Sequence, residues 1–311
     1  MEEYPLTVPS RSAVHVRVPA KINLHLGVGP LRDDNFHDLV TVFHAVSLYD
    51  ELALEPGPPG IRLVLDEHHD DVPADEDNLA VRALRALAEV ANIEPAVSVR
   101  LRKGIPVAGG MAGGSADAAA ALIAGDALWH LTLPPETLHE LAAGLGSDVP
   151  FALHGGDALG TGRGDQLAAL THPYQRHWVL AVAGVGLSTP AVYAETDRLR
   201  GVDARASDPA AVIKALDEPD PALLAEALCN DLQAATLSLR PELAAVLAAG
   251  ERAGALRGIV SGSGPTCAFL AADEAHAQQV AERLRASRTP GVRDVRTAAG
   301  SVCGARLTVE D

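Results

Sequence analysis

The chain has 311 residues, 48% of them hydrophobic and 21% charged, with a formal net charge of −16 at pH 7. This length can bury a large core and suits two domains, and the composition is that of an ordinary globular protein. The acidic balance argues against a nucleic-acid partner, which needs a basic face for backbone phosphates, yet permits a small anion held by the local field of a pocket.

In chain order, the opening MEEYPLTVPS is acidic and lacks an apolar h-region, so no secretory leader is expected. Val14, Val16 and Val18 alternate with His15 and Arg17, and after Pro19-Ala20-Lys21 the alternation resumes with Ile22, Leu24, Leu26 and Val28. Period-two patterning predicts strands on both sides of Lys21. Gly29-Pro30 ends the run, and LRDDNFHD follows as a polar loop in which Phe36 and His37 read as ligand contacts or as a plain surface pair. Strands are predicted over 41–47, 51–54 and 61–65, with the turn PGPPG among them. Asp75 to Asp77 then cap a helix whose Leu79, Leu84, Leu87 and Val90 share a face. Val97, Val99 and Leu101 form a strand that feeds the stretch KGIPVAGGMAGGSADAAA, Lys103 to Ala120.

Five glycines fall between Gly104 and Gly114, and a helix is predicted over 116–130 with Ser115 as its N-cap. Glycines let backbone N–H groups turn toward a ligand, and a helix N-terminus carries free N–H groups and a positive dipole end, so the stretch reads as a phosphate cradle. It is neither a Walker A loop nor a dinucleotide fingerprint, since no Gly-Lys-Ser/Thr follows and Gly-x-Gly-x-x-Gly does not fit. The plainer reading is a tight turn before a packed helix.

A helix follows Pro134-Pro135 and ends at Gly144, and LGSDVPFALHGGDALGTGRGD reads as a loop and hairpin. Asp148 in that segment is placed like a catalytic carboxylate and like a helix N-cap, and local sequence favours the cap. Further on, WVLAVAGVG is a buried strand, Thr189-Pro190 opens a helix, and helices continue through 208–253. A strand over 258–260, the turn SGSGPT, a strand over 267–270, a helix over 274–285 and a final strand pair complete the chain. The pattern is α+β, with a boundary near residue 170. Three dispersed cysteines without CxxC spacing support no disulfide or zinc framework, no apolar run is long enough to cross a membrane, and a reduced cytoplasm is the expected compartment. Only Lys21, Lys103 and Lys214 are lysines, and two of them flank the motifs, where a compact ammonium is not freely replaced by a guanidinium.

Three motifs occur in order: Pro19-Ala20-Lys21 leading into a strand, P-x-x-x-G-x-x-x-G-S with a following small residue over Pro106 to Ala116, and S-G-S-G-P-T over Ser261 to Thr266. This triplet resembles the GHMP kinase superfamily, the small-molecule kinases that include galactokinase, homoserine kinase and mevalonate kinase. Within it, PAKINLHL, DDNFHDLVTVF, LGSDVPFALHGG, GTGRGD and STPAVY are most similar to the branch that phosphorylates 4-diphosphocytidyl-2-C-methyl-D-erythritol in the non-mevalonate isoprenoid pathway. The resemblance runs from about Val14 to Leu270.

It implies a two-layer α+β fold: a ribosomal-S5-like N-terminal domain over 1–170, a ferredoxin-like C-terminal domain over 171–311, and an active site in the cleft between them. ATP and Mg²⁺ are the implied cofactors. The loop of Pro106, Val107, Ala108, Gly109, Gly110, Met111, Ala112, Gly113, Gly114 and Ser115 would wrap the phosphates, with Ser115 as a metal ligand and Lys103 and Asn78 near the adenine. Asp148 would be the base on the substrate hydroxyl with Lys21 beside it, a pairing in which the ammonium keeps the aspartate ionised. Asn23, His37, Thr189 and Pro190 would contact the cytidine diphosphate, Phe36 and Tyr193 would sandwich the cytosine, and Phe43 and Arg163 would complete the substrate side. The implied partner is a small molecule, with no nucleic acid or membrane, acting on a monomer or homodimer. The sequence departs from the motif at Ala108, Ala112, Ala116 and Asp117, where glycines, a serine and an asparagine are usual. An inward Asp117 would serve a metal sooner than a phosphate. The alternatives are another GHMP kinase (for homoserine, mevalonate or a sugar) and a non-catalytic binding protein, against which the retention of Lys21 and Asp148 argues.

Overall fold

A computed structural model describes residues 13–67, 72–107 and 109–308. The opening MEEYPLTVPS and Ala108 of the glycine loop lie outside the described residues. The first half runs β1 (Val14–Leu31), β2 (His37–Pro56), β3 (Gly60–Leu65), α1 (Leu79–Ala91), β4 (Ala96–Arg102), α2 (Gly113–Leu128), α3 (Pro135–Leu145), α4 (Val149–His154), β5 (Asp157–Thr161) and β6 (Gln166–Leu170). The second runs β7 (Arg176–Ala183), α5 (Thr189–Arg200), α6 (Ala210–Leu216), α7 (Pro221–Ala227), β8 (Cys229–Asn230), α8 (Gln233–Leu239) and α9 (Glu242–Arg252). It ends with β9 (Arg257–Val260), β10 (Cys267–Ala271), α10 (Glu274–Ser287), β11 (Val292–Gly300) and β12 (Arg306–Thr308).

The strands join in one mixed sheet whose main path is β12-β1-β2-β11-β7-β10-β9. Its organising member is β2, one strand of 20 residues where the alternation predicts two. The outer end of β2 pairs with β4, its inner end with β5, and Val46 between them with Gly300 of β11. Continuous pairing with β1 carries β2 through the interval that reads as a break, the register slipping at a bulge between Pro19 and Ala20. The last two strands do not pair with each other: β11 lies against β7, while β12 returns to β1.

Successive residues of β1 face opposite sides of the sheet. Ile22 and Leu24 join the core that α1 and α2 cover, while Lys21, Asn23 and His25 are buried on the other side. The same alternation lets β7 serve two cores. Trp178 and Leu180 belong to the first, and Val179 and Ala181 pack with Leu243, Phe269, Val280 and Leu284 in the second. Among the described residues, no helix is long and apolar enough to cross a membrane.

Three helix starts differ from expectation. Asn78, not Asp75 to Asp77, caps α1, its Oδ1 accepting the Ala80 N–H at 2.9 Å. Helix α2 begins at Gly113 after Ala112 in the left-handed region (φ 59°), which places Ser115 inside the first turn and not at the cap. The segment read as a loop after Gly146 contains α4, whose N-cap position is Asp148.

Candidate active site

A cavity of about 970 Å³ lies where β1, the glycine loop and α5 converge. Lys21, Asn23, Thr41 and Phe43 form its sheet wall, Asp148 and Arg163 one side, and Tyr193 with Asp197 the α5 side.

Lys21 and Asp148 form an ion pair at the cavity, with Nζ and Oδ2 3.5 Å apart. Lys21 is held from behind. Its ammonium donates to Asn23 Oδ1 at 2.9 Å, Asn23 Nδ2 donates to Thr41 Oγ1 at 2.8 Å, and Thr41 Oγ1 donates to the His25 carbonyl at 2.7 Å. The ring of Phe43 lies beneath Nζ at 5.4 Å. Asp148 occupies a helix N-cap position, yet its side chain makes no capping bond, so the cap reading favoured by local sequence does not hold. The backbone alone starts α4, through Ala152 N–H to the Asp148 carbonyl, and the carboxylate faces the cavity beside Lys21.

Opposite them, the first backbone bond of α2 runs from Ala116 N to Ala112 O. The earlier N–H groups of a helix have no intrahelical acceptor, so the first turn of α2 presents donors and a positive dipole end at the cavity wall formed by Ala112, Gly113 and Gly114. The turn Ser261–Thr266 braces this loop from behind. Ser261 Oγ donates to the Gly110 carbonyl at 3.2 Å, and a Cβ at Gly110 would come within 2.6 Å of both the Ser261 and Gly264 carbonyl oxygens. Ser263 reaches across to α5, its hydroxyl 2.8 Å from that of Thr189. Among the expected loop contacts, Met111 is buried in the core and gives its carbonyl to the Lys21 N–H. Neither Met111 nor Ser115 is among the described residues that line the cavity.

Lys103 stands at the floor, with its ammonium occupied. It donates to Asp50 and, at 2.5 Å, to Asp117. Asp50 also accepts the N–H groups of Gly104 at 2.7 Å and Ile105 at 2.8 Å, tying β2 to the start of the loop. Asp117 therefore does point inward, where it lines the cavity and pairs with Lys103. Burial alone lowers Lys103, but the charges of Asp117 and Asp50 outweigh it and hold the ammonium above its usual range. Burial, helped by the Asp50 charge and opposed by Lys103, holds the Asp117 carboxyl well above the carboxylate range. Its Oδ1 is buried without a hydrogen-bond partner. Asn78 is similarly engaged, between the Ala80 N–H and the Pro73 carbonyl at 2.7 Å.

At the other end, Tyr193 stacks on His37, with centroids 5.3 Å apart and planes 22° apart, while Phe36 is half exposed with the Arg163 guanidinium 5.2 Å from its ring. Burial raises the Tyr193 hydroxyl above its usual pKa, and the charge of Asp148 adds to it. His37 is buried and Asp197 stands 3.4 Å from its Nε2. Thr189 and Pro190, at the start of α5, also line the cavity.

Matches to known proteins agree with this layout. The GHMP kinases N-terminal domain model matches residues 78–156, and the GHMP kinases C-terminal model matches 212–288. The 4-diphosphocytidyl-2-C-methyl-D-erythritol kinase of Salinispora tropica is 56% identical over 299 residues, 94% of each chain. The chain belongs to this family of GHMP kinases. The kinase is also 55% identical to the Nocardia farcinica protein of that name, over 95% of this chain and 96% of that one. The crystal structure of a 4-(cytidine 5'-diphospho)-2C-methyl-D-erythritol kinase superposes with a TM-score of 0.75 at 33% identity, covering 91% of this chain and 98% of that one. A homoserine kinase from Cytophaga hutchinsonii, at 18% identity and a TM-score of 0.73, shares the fold.

Sequence reasoning does not find Asp50, Ser263 or Asp197. Asp50 and Ser263 act through partners far away in the chain. Asp197 carries a local signal, since it lies one helical turn beyond Tyr193 and so on the same face.

Proposed function

We propose that this kinase transfers the γ-phosphoryl group of ATP to the C2 hydroxyl of 4-diphosphocytidyl-2-C-methyl-D-erythritol, in the non-mevalonate route to isoprenoid precursors. The observation that carries the reading is the Lys21–Asp148 pair at 3.5 Å, facing the cavity into which the first turn of α2 opens. The substrate comes from relatives of that name at 55–56% identity over nearly the whole chain.

Asp148 accepts the proton of the C2 hydroxyl as its oxygen bonds to the γ-phosphorus and the bond to the β-phosphate bridge breaks, releasing ADP. Lys21, oriented by Asn23, places its charge where the transferred phosphoryl group carries spread negative charge. The N–H groups at the start of α2 hold the phosphates. Lys103 and Asn78, with their polar atoms engaged, shape the adenine end and fix the loop. Magnesium neutralises phosphate charge when bound. Ser115, in the first turn of α2 though not among the residues that line the cavity, is the residue that would hold it. Phe36 and Tyr193 flank the base, Arg163 and His37 sit at its edges, and Thr189 and Pro190 lie toward the diphosphate.

The test is ADP release with ATP, Mg²⁺ and the cytidyl alcohol, run beside mevalonate, homoserine and galactose. Turnover on the cytidyl alcohol alone is expected. Turnover on another alcohol would leave the Lys21–Asp148 chemistry standing and remove the substrate assignment.

A further inference from the structure

Thr41 is fully buried in the sheet wall of the cavity, two hydrogen bonds behind the Lys21 ammonium. A third bond ties it to the backbone, and each of the three can run in only one direction. The ammonium has hydrogens and no acceptor, so the Asn23 atom beside it is the amide oxygen. The Asn23 nitrogen is thereby turned away and donates to Thr41 Oγ1. A backbone carbonyl only accepts, so the single hydroxyl hydrogen of Thr41 goes to the His25 carbonyl, which leaves a lone pair for the Asn23 nitrogen. The polarity of the whole chain is thus set at its far end, on β1.

The fold holds Thr41 in the one orientation that does this. The register of β1 on β2 places Asn23 opposite Phe43, slips between Asn23 and His25, and resumes with Leu26 opposite Thr41. On its other side Thr41 pairs with Gly160 of β5, where a Cβ would come within 3.0 Å of the Thr41 methyl. Glycine there leaves room for the methyl, and the stiff χ1 of a β-branched residue then keeps the hydroxyl toward β1.

The Lys21 ammonium, one hydrogen on Asn23 and Asp148 at 3.5 Å, is therefore aimed as well as charged. Without an acceptor at Thr41, the Asn23 amide can turn over and present its N–H groups to the ammonium, which drives the two apart. We propose that Thr41 is a positioning residue for phosphoryl transfer: by accepting from Asn23 it keeps the amide oxygen on Lys21 and so aims the ammonium. The inference rests on the reading of Lys21 and Asp148 as the reacting pair. Loss of one hydrogen bond to a charged group corresponds to about tenfold to a hundredfold in rate.

The experiment is steady-state ADP release by the intact kinase, by Thr41→Val and Thr41→Ser, and by Thr41→Val combined with Asn23→Ala, with the melting temperature of each. Valine keeps the shape and the methyl without the hydroxyl, and serine keeps the hydroxyl without the methyl. Thr41→Val is expected to lower kcat about tenfold to a hundredfold, with KM for ATP and for the alcohol within about twofold of the parent's. Thr41→Ser is expected to work at nearly the parent's rate, even if it melts below Thr41→Val. On Asn23→Ala, Thr41→Val should cost little more, because both act through one ammonium. Activity that follows melting temperature instead of the hydroxyl overturns the assignment, as does a Thr41→Val loss that is undiminished on Asn23→Ala. A Thr41→Val enzyme as fast as the parent overturns it outright. A parent that turns over none of the alcohols named above removes the kinase reading itself, a result distinct from an active parent indifferent to Thr41.

Discussion

Gly110→Ala tests whether the glycine loop depends on its contact with the turn Ser261–Thr266. Gly110 has φ 72°, in the left-handed region, where a side chain costs about 1–2 kcal/mol. The new Cβ would also meet two backbone carbonyl oxygens at 2.6 Å, distances that side-chain motion cannot relieve. Relief requires the two loops to separate, which costs the Ser261–Gly110 hydrogen bond of 3.2 Å, about 1 kcal/mol net. The sum is a loss of about 2–3 kcal/mol, or roughly 4–6 °C in melting temperature at about 2 °C per kcal/mol for a chain of this size. Gly114→Ala is the control. Its Cβ would meet only Leu79 Cδ1, at 3.5 Å, so its melting temperature should match or slightly exceed the parent's. Differential scanning calorimetry of both variants without ligand isolates the strain from any loss of ATP contact. A Gly110→Ala protein that melts with the parent refutes the argument.

Three further outcomes follow from the site and its surroundings. Asp148→Asn should lower kcat about 10²- to 10⁴-fold while ATP and the cytidyl alcohol still bind, measured by ADP release and by titration. Asp117 is a raised carboxyl, so the folded protein binds a proton that the unfolded chain releases, and stability rises as pH falls from the folded pKa toward about 4. Asp117→Asn removes that slope and should be more stable than the parent at pH 8, as read by urea unfolding. Asp157, buried between His44 at 2.6 Å and His172 at 2.7 Å, is the opposite case. Burial would raise it, but the two histidines outweigh burial and hold it below the usual range. It therefore contributes stability above its unfolded pKa of about 3.9 that is lost as pH falls below that value. Asp157→Asn should cost about 1–3 kcal/mol at pH 7 and flatten the acid limb of the unfolding profile.

The parts legible in the sequence are those whose demands are local. A backbone that must turn N–H groups outward needs glycine, so the loop before α2 is written in five of them between Gly104 and Gly114. A strand with one face toward α2 alternates, so Ile22 and Leu24 reveal that Lys21 and Asn23 face away from that core. The unread parts are long-range. Nothing near Asp50 announces that its oxygens will meet Gly104, Ile105 and Lys103 some fifty residues on. The continuity of β2 depends on partners at both its ends, and the run 48–50 reads as a break until β1 is laid beside it. Asp148 misleads locally, because a carboxylate ahead of a short helix is usually its cap, and only the fold brings Lys21 close enough to claim it.

Lysine is scarce in this molecule, and two of its three ammonium groups are buried at the cleft. Lys21 is 8% exposed, and the Lys103 side chain is 3% exposed between its carboxylates. Lys214, on α6, is the one lysine side chain open to solvent. Apart from the chain's amino terminus, an amine-reactive dye or surface thus couples at a single known position. Biotin attached there holds every molecule by the same helix.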